Sequence, residues 1–205
     1  MATMDPADWD RRYAATESVW SSTANEFVVE YLSDLPTGSM LDIAGGEGRN
    51  ALWFARRGWN VENIDFSQVA LAKFLARAEE EGLSAQCTAT CVDAAQEPRY
   101  ALSPADLAIM VYLQIPAIDL SNAIVSAVQQ LSPGGTFFGV WHARENLADG
   151  FGGPQSAEVL PTQDELRSAA EKAGLREIFI TLADRHVTVE NIDHTAIDVI
   201  LTAKR

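Results

Sequence analysis

Short apolar runs alternate with amphipathic segments along the chain. Five of these runs have the length of strands, and they read SMLDIA, NVENID, SAQCTATCVD, DLAIMVYL and TFFGVWH. Between them, segments such as EGRNALWFARRG, QVALAKFLARAEEEG and LSNAIVSAVQQLS place apolar residues three and four positions apart, as a helix does. The run DLAIMVYL is apolar almost throughout, which is typical of a central strand buried on both faces. The pattern therefore predicts alternating strands and helices.

Two further apolar runs near the end of the chain have no helix between them. LREIFITLAD and TAIDVILTAK both read as strands, so we expect them to pair antiparallel as a long hairpin. Ser67 is placed to cap the helix after the second strand, and Thr162 with Glu165 forms a capping-box pattern. Together these signals predict a doubly wound, Rossmann-like α/β sheet with an antiparallel edge, whose ligands bind at the carboxyl ends of the strands.

Composition narrows the range of partners. The 205 residues are 47% hydrophobic, and 15 basic residues stand against 29 acidic ones, for a formal net charge of −14. Nucleic-acid binding needs clustered cations, so we expect neither a polynucleotide nor an anionic membrane surface as a partner. The first residues, MATMDPADWDRRY, lack the apolar core of a signal peptide, which favours a cytoplasmic protein. Cys87 and Cys91 lack metal-ligand spacing, and no metal site is predicted.

The segment GEGRNA, which follows the first predicted strand, carries the first chemical signal. It matches the G-x-G-x-x-G/A fingerprint, and Asp65 lies about twenty residues further on, where an acid would hold a ribose. We expect Asp65 to face a cleft and to make few core contacts. Taken alone, the fingerprint does not separate NAD from another adenosine-bearing cofactor.

Carboxylates near this loop favour one of these cofactors. Asp42 lies just before the turn and Glu47 inside it, and two anions would repel a pyrophosphate. A ligand with an ammonium and a sulfonium, such as S-adenosylmethionine, has the opposite preference. Asp93 ends the third strand, where it could accept a hydrogen bond from an adenine amino group, and the backbone N–H of Ala94 could reach a ring nitrogen.

The sequence resembles the class I S-adenosylmethionine-dependent methyltransferases, and in particular the small bacterial group related to tellurite-resistance and thiopurine methyltransferases. The resemblance is carried by LDIAGGEGRNALWFARRGWNVENIDFS, by WDRRYAATESVW before an NEF helix, and by VYLQIP and LSPGGTF. It implies a seven-stranded sheet in the order 3-2-1-4-5-7-6. It also implies one methyltransferase domain over residues 1–205, in which a helical segment, 1–37, covers the cofactor of a Rossmann-like core, 38–205.

The resemblance also implies roles for individual residues. The loop Ala44, Gly45, Gly46 and Gly48 would line the methionine part of the cofactor, although the family often has glycine where this chain has Ala44. The remaining residues would surround the rest of the cofactor: Asp65 at the ribose, Phe66, Asp93 and Ala94 at the adenine, Val111 at the amino group, and Tyr13 and Trp20 as a cover.

Three residues keep two interpretations each. Asp42 either anchors the turn through backbone N–H groups or contacts the cofactor as well. Arg49 either lies on the helix surface or pairs with the methionine carboxylate. His142 ends the fifth strand and either deprotonates the acceptor or bonds to a nearby backbone group.

The predicted function is in-line methyl transfer from S-adenosyl-L-methionine to a small molecule with an O, N or S nucleophile, leaving S-adenosyl-L-homocysteine. An NAD-dependent oxidoreductase and a non-catalytic S-adenosyl-ligand-binding protein are the alternatives. The acceptor and the oligomeric state stay open.

Overall fold

Seven strands form one sheet in the computed structural model of the protein, which describes residues 5–96 and 103–205. In chain order they are β1 (Ser39–Ile43), β2 (Asn60–Asp65), β3 (Cys87–Cys91), β4 (Ala105–Val111), β5 (Leu131–His142), β6 (Arg176–Val189) and β7 (Ile192–Lys204). Across the sheet their order is β3-β2-β1-β4-β5-β7-β6. The first five strands are parallel, whereas β7 runs antiparallel to both β5 and β6. The predicted strand order and the antiparallel edge hairpin are confirmed.

Helices cover both faces of the sheet and two of them precede it. They are α1 (Pro6–Ala14), α2 (Glu26–Leu32), α3 (Arg49–Ala55), α4 (Gln68–Glu80), α5 (Ala117–Gln129), α6 (Asn146–Asp149) and α7 (Gln163–Lys172). Successive strand residues point to opposite faces, so Leu41 packs with α5 and α7 whereas Met40 packs with α2, α3 and α4. This is the doubly wound arrangement that the sequence predicts, with the carboxyl ends of the parallel strands at one edge. The division of the chain at residue 37 stays a prediction.

The boundary between α5 and β5 differs from the predicted one. The sequence favours a helix through Ser132 and a strand from Thr136, but α5 ends at Gln129 and β5 begins at Leu131. Leu131 already pairs with Ala105, and the next pair joins Thr136 to Leu107, so residues 132–135 bulge out of the register. A proline and two glycines in that stretch fit a bulge because they contribute little to a strand ladder.

The described residues give further information on possible partners. None of their helices is both long enough and apolar enough to cross a membrane. No three of their His, Cys, Asp or Glu side chains converge as metal ligands. Both cysteines are free; Cys87 is buried and Cys91 is exposed.

Removal of the α7 cap should cost stability. The Thr162 side chain accepts the N–H of Glu165, and the Glu165 side chain reciprocates at the N–H of Thr162, which confirms the predicted capping box. We expect Thr162→Ala to lower the free energy of unfolding by about 1 kcal/mol, measured by urea denaturation. Ser168→Ala in the exposed middle of the same helix is the control and should be close to neutral. Equal losses in both variants would contradict the role assigned to the cap.

Candidate functional site

The loop between β1 and α3 is built on left-handed backbone. Ala44, Gly46 and Gly48 have φ values of 56°, 56° and 72°. The N–H of Gly48 donates to the carbonyl of Gly45 at 2.9 Å and closes the turn that starts α3. Ala44 adopts the conformation that glycine would adopt freely, so the departure from the family pattern leaves the loop closed at the cost of some strain.

Two side chains leave no room for a Cβ in the middle of the loop. A Cβ on Gly45 would lie 2.2 Å from Oδ1 of Asn63, and one on Gly46 would lie 2.6 Å from Oη of Tyr13. Asn63 also donates its side-chain amide to the carbonyl of Gly46 at 2.9 Å. The loop therefore packs between β2 and the N-terminal segment, and it offers backbone groups rather than side chains to a ligand.

Asp42 lies beneath the loop and is fully buried at the end of β1. Its Oδ2 accepts the N–H of Ala51 at 3.1 Å, whereas Oδ1 has no hydrogen-bond partner among the described residues. Burial raises the pKa of Asp42 to about 7, although the bond from Ala51 and the charge of Arg49 act against it. The anchoring interpretation of Asp42 is thus confirmed, and a ligand contact stays a prediction for which Oδ1 is the available atom.

Asp65 ends β2 and ties the loop to that strand. Its Oδ2 accepts the N–H of Gly46 at 2.9 Å, and its Oδ1 accepts the N–H of Ser67 at 2.8 Å. The residue is only 5% exposed, and burial raises the pKa of Asp65 to about 6 despite these bonds. Asp65 therefore does more than face a cleft, because its carboxylate joins the glycine loop to the start of α4.

Glu47 has partners within the protein and is not a free anion in the loop. Its side chain is 3% exposed, Oε1 lies 3.0 Å from Nζ of Lys73, and Oε2 accepts the N–H of Val19 at 2.9 Å. A carboxylate paired in this way exerts little net attraction on a bound cation. The expectation that Glu47 acts as a free anion beside the bound cofactor was therefore wrong.

Polar contacts hold the N-terminal segment over the loop. Nζ of Lys73 donates to the carbonyls of Tyr13 and Thr16 at 2.6 and 2.7 Å, in addition to its contact with Glu47. Oγ of Ser67, the residue that caps α4, donates to Oδ1 of Asp10 at 2.5 Å. The segment is thus joined to α4 at two places.

Tyr13 and Trp20 differ in how they meet the loop. Tyr13 is 4% exposed and its hydroxyl lies against Gly46. Trp20 is 42% exposed, donates its Nε1 to Oη of Tyr13 at 3.3 Å, and lies beneath the guanidinium of Arg12. Tyr13 therefore covers the loop directly and Trp20 covers Tyr13.

The acid at the end of β3 occupies its predicted place. Oδ1 of Asp93 accepts the N–H of Ala95 at 2.9 Å, and Oδ2 accepts the side-chain amide of Gln96 at 2.8 Å. Ala94 is buried and packs against the core. Both Asp93 and Ala94 lie at the carboxyl edge of the strand beside β2, and their contact with adenine stays a prediction.

Three further predicted residues lie at the same edge. Phe66 and Val111 are half-buried at the ends of β2 and β4. Arg49 begins α3 and is half-buried, and within the described part of the chain its side chain has no hydrogen bond or ion pair. Burial lowers the pKa of Arg49, whereas Tyr112 and Asp42 act to raise it. Among the described residues the charge of Asp42 acts on Arg49 only from beyond ion-pair distance, and this favours the interpretation in which Arg49 binds an anionic group.

A second polar cluster lies at the ends of β4 and β5, around a buried acid of β7. Asp198 is fully buried, and its Oδ2 accepts the hydroxyl of Tyr112 at 2.6 Å and Nε of Arg185 at 2.7 Å. Its Oδ1 lies 3.0 Å from Nδ1 of His142, its cross-strand neighbour. The alternative interpretation of His142, a backbone partner, was therefore wrong: the polar group beside its ring is a side-chain carboxylate.

Sequence reasoning missed Tyr112, Arg185 and Asp198. A signal for Asp198 existed, because it is the one charged side chain inside the apolar run TAIDVILTA. Tyr112 lies in the VYLQIP motif, which supports the resemblance but gives no chemical role to its tyrosine. Arg185 had no such signal, since its partner lies on another strand.

A groove of about 500 Å³ lies elsewhere, between α5 and α7. It is lined by helix residues such as Ile118, Ser121 and Lys172 and contains none of the predicted site residues. We place the candidate site at the glycine loop because the buried acids and the unpaired arginine lie there.

A comparison with protein families agrees with this placement. Residues 40–135 match a family model described as a methyltransferase domain. The match includes the glycine loop, Asp42, Asp65 and β4, and it confirms the resemblance drawn from the motifs as far as a methyltransferase domain over these residues. A sequence comparison with curated proteins finds no match.

Solved structures share the fold at low sequence identity. TehB from Haemophilus influenzae has a TM-score of 0.68 and 16% identity, over 89% of this chain and 62% of TehB. Haemonchus contortus phosphoethanolamine N-methyltransferase 2, in complex with S-adenosyl-L-methionine, has a TM-score of 0.65 and 19% identity, over 87% of this chain and 51% of that protein. A third structure concerns the conversion of a disulfide bond into a thioacetal group during echinomycin biosynthesis. It has a TM-score of 0.71 and 18% identity, over 98% of this chain and 92% of that chain. The chain thus spans about three fifths of the first protein and half of the second, and what it shares with all three is the fold.

Asp42 should make stability depend on pH. The pKa of Asp in an unfolded chain is near 4, whereas the pKa of Asp42 in the folded protein is about 7. The native state therefore binds the proton more tightly, and protonation of Asp42 stabilises the fold at low pH. This stabilisation is lost as the pH rises from about 4 to 7. Asp42→Asn removes that dependence. We expect its free energy of unfolding, relative to the parent, to increase by about 2–3 kcal/mol between pH 5 and pH 8. The exposed Asp34→Asn is the charge-matched control, and a pH-independent difference for Asp42→Asn would contradict the burial argument.

Lys73 should control the closure of the N-terminal segment. Lys73→Met keeps most of the side-chain length but removes the donor to two carbonyls and the cation beside Glu47. We expect the amides of residues 13–20 to exchange with deuterium about tenfold faster or more, measured by mass spectrometry. Lys172→Met, at an exposed position of α7, is the control. Unchanged exchange in the Lys73 variant would show that other contacts hold the segment.

Proposed function

We propose that this chain transfers the methyl group of S-adenosyl-L-methionine to a small molecule. The premise is that residues 40–135 match a methyltransferase domain and that the sheet has the class I methyltransferase strand order. The observation that carries the proposal is the glycine loop closed onto the carboxylate of Asp65 by the bond from the N–H of Gly46. That joint places bare backbone, an acid and a helix start at one strand edge. It is the arrangement that an adenosine-bearing cofactor needs.

The residues present fit this cofactor. Each oxygen of Asp65 accepts one backbone N–H, and since a carboxylate has about four acceptor sites, it can still accept the two hydroxyls of a ribose. Arg49 forms no hydrogen bond or ion pair in the described part of the chain, although Asp42 acts on it at longer range, and its guanidinium suits the methionine carboxylate. The unpartnered Oδ1 of Asp42 suits a cationic group. The loop glycines allow the ligand to approach the backbone closely.

The N-terminal segment closes the site. Tyr13 lies directly on Gly46, so entry of the cofactor requires the segment to lift from the loop and then to return over it. Once closed, the segment excludes water from the reacting atoms. Phe66, Asp93, Ala94 and Val111 complete the proposed adenine and amino-group contacts, and Trp20 the outer cover.

When bound, the cofactor supplies a methyl group already activated by its sulfonium. The task of the chain is then to align an acceptor with that methyl group and to exclude water, which can lower the barrier by several kcal/mol. His142, at the end of β5, is the proposed base for an acceptor that must lose a proton. A small-molecule acceptor and a cytoplasmic location remain predictions; the acidic composition argues against a polynucleotide as the acceptor.

Calorimetry tests the cofactor and the role of Asp65 together. We expect S-adenosylhomocysteine to bind and NAD(H) not to bind at millimolar concentration. Asp65→Asn keeps the shape of the side chain but loses its charge and one acceptor, so the affinity should fall by roughly ten- to a hundredfold, or about 1.4–2.8 kcal/mol.

Asp65→Asn should also lower the free energy of unfolding, because two N–H groups now compete for one acceptor. Thermal unfolding must therefore show that the variant is folded at the temperature of the titration, and Asp34→Asn serves as the control for charge. Tight binding of NAD(H) without S-adenosylhomocysteine would favour the oxidoreductase. Equal affinity in parent and variant would remove Asp65 from the ribose site.

A further inference from the structure

The imidazole of His142 is held by three neighbours and leaves one nitrogen open. The ring of Tyr112 stacks on it with centroids 4.8 Å apart and an interplanar angle of 25°. Gly153 approaches so closely that a Cβ there would lie 2.9 Å from Cδ2 of the ring. Nδ1 lies 3.0 Å from Oδ1 of Asp198. Nε2 has no hydrogen-bond partner among the described residues, and 15% of the side chain is exposed.

The charge of Asp198 decides which nitrogen carries the proton. Burial alone would raise the pKa of Asp198, but contacts with His142, Arg185 and Tyr112 outweigh it and leave this pKa below its usual range. An ionised carboxylate can only accept hydrogen bonds. A ring nitrogen 3.0 Å from it therefore carries the hydrogen, which makes neutral His142 the Nδ1–H tautomer with a free lone pair on Nε2.

The contact has the length of a hydrogen bond but not its full alignment, and neither Nδ1 nor Oδ1 has another hydrogen-bond partner among the described residues. Catalytic contacts of this kind are often poorly aligned in free enzymes and tighten when substrate binds. The cross-strand pairing of His142 with Asp198 in β5 and β7 keeps the two side chains adjacent.

We propose that Asp198 is a positioning residue that fixes the tautomer of His142, so that Nε2 accepts the proton of the methyl acceptor. The proposal rests on the proposed function, since it assigns the acceptor side of the same site. In the step, the attacking atom of the acceptor gives its proton to Nε2 of His142 and its electron pair to the methyl carbon. The bond from that carbon to sulfur breaks, its electrons stay on sulfur, and His142 later releases the proton to water.

Asp198→Asn provides a sharp test, because the two ends of the new amide differ. Tyr112 and Arg185 both donate to Oδ2, so the amide oxygen should take that position and place the NH₂ group toward His142. An NH₂ donor requires Nδ1 to accept, which moves the ring hydrogen to Nε2. We therefore expect the variant to reverse the tautomer from Nδ1–H to Nε2–H.

Nitrogen-15 NMR of histidine-labelled free protein measures the tautomer in the neutral form, with His142→Asn assigning the signal among the three histidines. Carbethoxylation by diethylpyrocarbonate, followed by mass spectrometry, measures the free lone pair at Nε2. We expect His142 to react at least about tenfold more slowly in Asp198→Asn, relative to the exposed His186 in the same chain. The exposed Asp193→Asn on the same strand should change neither result.

An Nε2–H tautomer in the parent protein would overturn the proposal without any variant, so a variant that fails to fold leaves it testable. An unchanged tautomer and an unchanged reaction rate in folded Asp198→Asn would overturn it as well. Binding of S-adenosylhomocysteine, measured alongside, separates the two proposals. If the parent protein does not bind S-adenosylhomocysteine, that result counts against the proposed function. The role of Asp198 is decided separately, by the NMR result.

Discussion

The hydrogen bonds that the Asp65 carboxylate accepts from Gly46 and Ser67 are the joint around which the candidate site is arranged. A buried carboxylate is costly unless its oxygens are satisfied, and these two N–H groups are supplied by the loop before it and the helix start after it. The same helix start holds Asp10 through Ser67, so the N-terminal segment depends on the joint as well. The glycine loop, the end of β2 and the N-terminal segment are therefore connected by one set of hydrogen bonds.

The pKa values of two buried acids at the strand edge are shifted in opposite directions by their partners. Asp65 is bonded to neutral N–H groups, and burial prevails, so its pKa rises to about 6. Asp198 lies against His142 and accepts hydrogen bonds from Arg185 and Tyr112, and these contacts together bring its pKa below the usual range. The acid at the proposed cofactor is thus the easier of the two to protonate, and the acid at the proposed acceptor is the harder. The two environments match the two tasks, ligand binding on one side and orientation of a base on the other.

Signals that act over a few residues could be read from the sequence. The capping box of Thr162, the cap of Ser67, the strand runs and the missing helix between β6 and β7 all depend on neighbours close in the chain, and each appears in the structure. The candidate site could be proposed in the same way, because a glycine loop after a strand lies at the carboxyl edge of the sheet. The position where β5 begins could not, since the pairing of Leu131 with Ala105 outweighs the local turn signal of the proline and glycines.

The sequence by itself determined the fold class, the family resemblance and the loop with its acids Asp42 and Asp65, because these follow from local pattern and spacing. Only the tertiary structure decided what each charged side chain faces. Glu47 resembled a free anion until Lys73, 26 residues further along the chain, was found 3.0 Å from it. His142 resembled a lone histidine until strand pairing brought Asp198 beside it. The electrostatic role of a side chain depends on partners that the chain brings near by folding, and the energy of such a pair depends on distance and burial, neither of which is encoded in spacing along the sequence.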